Sequence, residues 1–183
     1  MTHLSTEPLV LTLMLDDDTF ATFDNLRREY FPPERNHIPA HLTLFHALPG
    51  REKERIIRTL DQTCSRTMAF PVHFSSVRFL GGGVAIDVDS DHLESLRNKL
   101  ASEWKYWLTK QDSQRYRPHI TIQNKVSPNS ARLLFNTIQY KWEAMEGWGM
   151  GLLLWTYIGG PWKLEKSFFF KSKDIDVKGN ATP

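Results

Sequence analysis

The tetrapeptide His41-Leu42-Thr43-Leu44 has a counterpart, His119-Ile120-Thr121-Ile122, with the two histidines 78 residues apart. Each copy alternates polar and apolar residues, a period of two that only an extended strand converts into two chemically distinct faces. His41 and Thr43 then share one face and Leu42 and Leu44 the other; His119 and Thr121 stand against Ile120 and Ile122 in the same way. The apolar pair can anchor its strand in a core. The polar pair is presented together, about 7 Å apart along the strand at 3.4 Å per residue. A single string of this kind is weak evidence, because short motifs arise by chance. Two copies, at equivalent places in two similar halves, constrain the fold much more: it must bring two such strands around one cleft.

The rest of the chain supports two halves. Leu9–Leu15 reads as a buried strand, and Asp16 to Asp18 cap a helix carrying Phe20, Phe23, Leu26 and Tyr30, which Pro32-Pro33 ends. The motif strand runs from about Ala40 to Leu48, followed by a helix over Glu52 to Thr63 with Ile56, Ile57 and Leu60 on one side. Phe70 to Leu80 and Val84 to Val88 form a hairpin around Gly81-Gly82-Gly83. No helix follows the glycines at once, so they are a turn and not a phosphate loop. A helical stripe at Leu93, Leu96, Leu100 and Trp104 leads through the polar loop Gln111 to Arg117 to the second motif strand, His119 to Val126. Ser127-Pro128 opens a helix with Ala131, Leu134, Phe135 and Ile138 on its apolar face. A last hairpin, Met150 to Ile158 and Trp162 to Phe170, turns at Gly159-Gly160-Pro161, and the polar tail 171–183 is expected to fray. The order β-α-β-α-β-β-α-β-α-β-β suits an α+β fold of antiparallel sheets with outer helices.

Composition narrows the function. Net charge is +2, from 23 basic and 21 acidic residues, which argues against a large nucleic-acid-coating surface but leaves room for a local basic cleft. The lone Cys64 cannot form an intrachain disulfide and has no activating pattern, consistent with a reducing cytoplasm. No apolar run approaches the roughly 20 residues of a spanning helix, and Met1 to Pro8 lacks a signal-peptide pattern, so a cytoplasmic protein with no membrane partner is expected.

Two imidazoles and two hydroxyls around one cleft are what phosphodiester cleavage needs without a metal. One histidine takes a proton from the attacking oxygen while the other gives one to the leaving oxygen. Imidazole titrates near 6.5, so neutral and protonated copies can coexist near neutral pH. Threonine hydroxyls can donate to the non-bridging phosphate oxygens. A metal site would need further ligands at suitable spacing, and only His37 and His46 stand near. No metal and no cofactor are therefore expected.

These residues resemble the 2H phosphoesterase superfamily and, within it, the bacterial 2′-5′ RNA ligase (cyclic phosphodiesterase) family. The carriers are HLTLF at His41 to Phe45 and RPHITI at Arg117 to Ile122, with LTKQD at Leu108 to Asp112, QNKV at Gln123 to Val126 and LLLWTYIGGPW at Leu152 to Trp162 as context. The likeness runs from about Leu9 to Phe170. It implies one domain of two interleaved lobes, related by pseudo-two-fold symmetry with the cleft between them. It implies chemistry on 2′,3′-cyclic phosphates or 2′-5′ linkages, reversible as ligation. It further implies that His119 activates water, that His41 protonates the departing ribose oxygen, and that Thr43 and Thr121 hold the phosphate; the ligating direction swaps the histidines. Where many relatives carry an arginine after the second motif, this chain has Asn124-Lys125.

Substrate contacts beyond the phosphate are read from position. Phe45, Tyr116, Trp155 and Tyr157 are candidate stacking surfaces for a base, and Arg117 and Lys125 candidate phosphate contacts. By alternation His46 falls on the face opposite His41 and is assigned to structure or rim. The expected partners are RNA ends or small cyclic-phosphate nucleotides, met by a monomer. A non-catalytic module binding RNA ends or nucleotides in the same cleft is the alternative, although binding alone needs no acid-base pair.

Overall fold

The computed structural model describes residues 7–172. Among them, seven strands and four α-helices follow in the order the sequence predicts: β1 (Leu9–Leu15), α1 (Asp17–Tyr30), β2 (Leu42–Leu48), α2 (Lys53–Cys64), β3 (Phe70–Phe79), β4 (Val84–Asp89), α3 (Asp91–Glu103), β5 (His119–Gln123), α4 (Pro128–Lys141), β6 (Met145–Tyr157) and β7 (Trp162–Phe169). Helix starts follow the side chains available. Asp16 caps α1 by accepting from Thr19 N, Ser90 caps α3 through Leu93 N, and Ser127 caps α4 through Ser130 N ahead of a first-turn proline.

All pairings between these strands are antiparallel, and six strands close into a ring, β1-β2-β5-β4-β3-β6 and back to β1, with β7 added outside β6. The ring is pinched into two sheets. On one side the long β6 belongs to both, pairing with β3 through Met145–Gly149 and with β1 through Gly149–Thr156. On the other side the sheets meet through a single pair, Leu42 on β2 with Ile120 on β5. Helices α1 and α4 lie against the β3-β4-β5 sheet, while α2 and the end of α3 cover the β1-β2-β6-β7 sheet. The first helix of each half thus lies against the other half's sheet, in an α+β fold of antiparallel sheets with outer helices as expected. Leu42, Leu44, Ile120 and Ile122 are fully buried in the core, as the motif alternation requires.

Two boundaries differ from the sequence reading. β6 begins at Met145, five residues before the expected Met150, through a Gly-rich stretch of low strand propensity. Gly147 is needed there, because a Cβ would run into the Thr19 side chain of α1. β5 stops at Gln123, and Lys125 turns with φ +64°. Of the tail expected to fray, Lys171 is held by backbone hydrogen bonds to Thr67 and Ala69; residues 173–183 lie outside the described residues. Among the described residues no helix is long and apolar enough to cross a membrane.

Candidate active site

The single Leu42–Ile120 pair is the pivot of the site. Both side chains are buried, so their neighbours point the other way, out of the core. Continuing the antiparallel register by one residue sets His41 across from Thr121 and Thr43 across from His119. All four line one cleft of about 400 Å³, together with His46, Arg78, Arg97, Tyr116, Arg117 and Trp162 among others.

Each histidine is oriented by its own backbone. His41 Nδ1 lies 2.8 Å from the Pro39 carbonyl and His119 Nδ1 2.9 Å from the Arg117 carbonyl, both two residues upstream. A carbonyl only accepts, so Nδ1 carries the proton in both rings and Nε2 is the nitrogen left for the cleft. The carbonyls of the motif threonines are secured from the opposite half. Tyr116 Oη donates to Thr43 O at 3.1 Å, and Arg27 Nη1 donates to Thr121 O at 2.8 Å. Buried Arg27 also donates through Nε to Asn36 Oδ1 and Ile38 O, and Asp24 accepts from Ala40 N, so α1 fixes the entry to the first motif.

The two imidazoles differ electrically. Burial pushes the His41 pKa down to about 4, against the partial offset of the Pro39 hydrogen bond, and Arg27 and His119 lower it further. Burial also lowers His119, with the Arg117 carbonyl opposing it; nearby Arg78 lowers it and Asp87 raises it. Arg78 forms an ion pair with Asp87, and its Nη1 lies 3.3 Å from His119 Nδ1. Both of those nitrogens bear hydrogens toward other acceptors, so that contact acts as a neighbouring charge.

The remaining sequence candidates divide. Tyr116 and Arg117 line the cleft, Tyr116 tied to Thr43 and Arg117 beside His119. Phe45 does not. β2 carries two extra residues against β1, one between the Leu9–Leu48 and Leu11–Phe45 pairs and the other where Leu11 pairs with Phe45 but Thr12 with Thr43. The latter bulge turns Phe45 into the core, against Trp104, with Arg97 over its ring. The same bulge turns His46 the other way, into the cleft, which corrects its assignment to the opposite face. Lys125 sits on the turn beyond β5, away from the cleft, its carbonyl accepting from Arg35. Trp155 and Tyr157 do not line the cleft; Trp162 does, its ring tilted against His41 with ring centroids 4.7 Å apart. Trp155 stands behind Trp162 and is held by Thr12 Oγ1.

Sequence reasoning missed Arg78 and Arg97, which line the cleft together with Arg117. The available signal was a charge inside an apolar strand, Arg78 in SSVRFL, with an opposite charge, Asp87 in VAIDVD, on the return strand of the hairpin. Cys64 is buried, and burial raises its thiol to about 12, so it offers no nucleophile. Among the described residues no group of three or more His, Cys, Asp or Glu is placed to hold a metal ion.

Solved structures share this fold. TT0787 of Thermus thermophilus matches with a TM-score of 0.65 at 14% identity, covering 91% of this chain and 99% of that one. E. coli LigT in apo form matches with a TM-score of 0.57 at 17% identity, covering 90% and 98%. E. coli LigT complexed with 3′-AMP matches with a TM-score of 0.58 at 17% identity, covering 91% and 99%. No curated protein sequence matches the chain. The family model of the 2′-5′ RNA ligase superfamily matches residues 15–161, which include both motif strands and the start of the last hairpin. The chain belongs to the 2′-5′ RNA ligase superfamily.

Proposed function

We propose that this protein is a metal-independent phosphodiesterase, acting on 2′,3′-cyclic phosphate or 2′-5′ phosphodiester bonds of RNA or nucleotides. Its catalytic groups are His41, Thr43, His119 and Thr121. The observation that carries this reading is the pivot pair: Leu42 and Ile120 bring the two motif strands edge to edge, and each histidine keeps Nε2 free because its Nδ1 is engaged. In the forward reaction one imidazole removes a proton from water as its oxygen attacks phosphorus, and the other donates a proton to the ribose oxygen as its bond to phosphorus breaks. One P–O bond forms and one breaks. With the 5′-hydroxyl of a second ribose as nucleophile in place of water, a P–O5′ bond forms as the P–O3′ bond of the cyclic phosphate breaks, which gives a 2′-5′ linkage; cleavage of that linkage by the same path exchanges the duties of the histidines. The threonine hydroxyls and the arginines of the cleft stabilise charge on the non-bridging oxygens.

Burial decides where the working proton rests in the empty cleft. Burial, the largest cause at both rings, takes His41 to about 4, while Asp87 partly offsets the lowering of His119 by burial and Arg78, so the first proton goes to His119. That charge order favours His119 as acid and His41 as base, the reverse of the roles implied by resemblance. The complexes of E. coli LigT with 3′-AMP and with phosphate support a substrate of nucleotide size and negative charge. The same reading treats the chain as one domain of two interleaved lobes, working as a monomer.

The test is a panel of nucleoside 2′,3′-cyclic phosphates and 2′-5′ dinucleotides, followed by phosphorus NMR with and without EDTA. Turnover of at least one substrate, unchanged by EDTA, is the expected result. Turnover that EDTA abolishes would replace the two-histidine mechanism with a metal site. Tight binding without turnover would favour the RNA-end-binding module.

A further inference from the structure

The cleft holds a third histidine that the two-histidine chemistry does not use. His46 lies three residues beyond Thr43 on the same strand, roughly 10 Å along it at 3.4 Å per residue. The β2 bulge between Thr43 and Phe45 aims it into the cleft, and its side chain is 45% exposed. Its Nδ1 is 3.0 Å from Asp112 Oδ1, a carboxylate whose side chain is only 1% exposed. An acceptor fixes the proton at Nδ1, so Nε2 is again the nitrogen presented to the cleft.

Asp112 is itself anchored. Its Oδ1 accepts from His46 N at 2.9 Å and its Oδ2 from Ala47 N at 3.0 Å, and the buried Arg97 donates to its carbonyl. Burial would raise the Asp112 carboxyl, but the hydrogen bonds from the His46 side chain, His46 N and Ala47 N hold it below the ordinary carboxylate range. The result is a buried negative charge behind an imidazole whose open nitrogen faces the cleft. Arg97 and Arg115 line the same part of the wall. An imidazole held at Nδ1 by a carboxylate has Nε2 as its one remaining site for a phosphate oxygen, a hydrogen bond made when that nitrogen carries a hydrogen.

We propose that His46, held by Asp112 and flanked by Arg97 and Arg115, binds a second anionic group of the substrate, a phosphate one nucleoside away from the scissile one. The inference rests on the phosphodiesterase reading and narrows its substrate class. The cleft then prefers nucleotides carrying two phosphates, such as an RNA end with its adjoining phosphodiester, over a simple nucleoside cyclic monophosphate.

Binding tests this without turnover. The probes are adenosine 3′-monophosphate and adenosine 3′,5′-bisphosphate, titrated by calorimetry into the wild-type protein and into His46→Gln and His46→Ala. The anchoring of Asp112 by His46 N and Ala47 N uses backbone atoms, so both variants keep it. The expected result is a bisphosphate preference of about tenfold or more in the wild type, the size of one charge-assisted hydrogen bond. That preference falls to near unity in both variants, with monophosphate affinity little changed. Equal affinity for the two ligands in the wild type overturns the proposal. So does a preference that survives both substitutions, or a loss of affinity that is the same for both ligands. Failure of the phosphodiesterase reading shows itself separately, as absence of turnover on every cyclic phosphate while these affinities stand as measured.

Discussion

The two motif copies have the same backbone and different surroundings. In each, a histidine donates from Nδ1 to the carbonyl two residues upstream, and a threonine carbonyl is capped by a side chain from the other half. Around that shared frame the walls diverge. His41 is pressed against Trp162, and burial takes it to about 4. His119 sits beside the Arg78–Asp87 ion pair, so charge as well as burial tunes it. Near-symmetric geometry provides two proton-transfer groups, and asymmetric walls make one of them easier to protonate than the other. In the proposed mechanism that difference distinguishes an acid from a base in a pair that would otherwise be degenerate.

The comparison can be sharpened with a leaving group that needs no acid. On a nucleotide aryl ester with a nitrophenolate leaving group, the variant lacking the acid should recover most of a ~10²–10⁴-fold loss, and the variant lacking the base should not. The charge order predicts rescue of His119→Ala. Rescue of His41→Ala alone would restore the assignment implied by resemblance and show that bound substrate, not the empty cleft, sets the proton.

A second test breaks the pivot instead of the chemistry. Leu42 is fully buried and makes the only ladder pair between β2 and β5. Leu42→Ala should cost about 2–5 kcal/mol of stability, read by urea unfolding. Its kcat/KM should fall beyond the loss of folded protein, because His41 and Thr43 are its neighbours. A destabilised variant with unchanged kcat/KM per folded molecule would separate the pivot from the site.

Both motifs were legible from sequence because alternation is local: each His and Thr face follows from two residues on either side. The element order was legible for the same reason, through caps, prolines and periodicity. The errors have specific causes. The extra residue in β2 between Thr43 and Phe45 exchanged the faces of Phe45 and His46, and nothing in HLTLFHAL marks a bulge, which arises from pairing with β1. Lys125 was placed on a continuing strand that ends at Gln123. Arg78 and Arg97 reach the cleft from β3 and α3, so their contribution depends on tertiary approach. Trp162 instead of Trp155 touches His41 because the final hairpin places one behind the other.

The pH dependence follows from the same asymmetry. Both histidines titrate below the usual 6.5, and the proposed mechanism needs one proton on the pair. The kcat/KM profile should therefore peak on the acid side, falling below about 4 as His41 also protonates and already falling before pH 6.5 on the other limb, as His119, lowered from its ordinary value, gives up the proton of the pair. Stability moves with it. The unfolded chain binds a proton at His41 that the folded chain refuses between 6.5 and about 4, so stability rises with pH across that window. The loss on acidification is up to about 3 kcal/mol at roughly 1.4 kcal/mol per pH unit, and His41→Asn should flatten it in unfolding curves taken at pH 7 and pH 4.5. An unchanged slope in the variant would show that His41 is not held neutral by the fold. The smallest effect belongs to the wall behind it. Trp162→Ala should raise the His41 pKa by opening it to water, by about one pH unit in a proton NMR titration, and leave that of His119 in place.

The central claim is that His41 and His119 act on one phosphate as a unit. Initial rates for His41→Ala, His119→Ala and the double variant on one cyclic phosphate test it directly. The account predicts a loss of at least ~10²–10⁴-fold for each single variant and little further loss in the double, as for groups that work together. Wild-type rate in either single variant, or losses that multiply in the double, would contradict it.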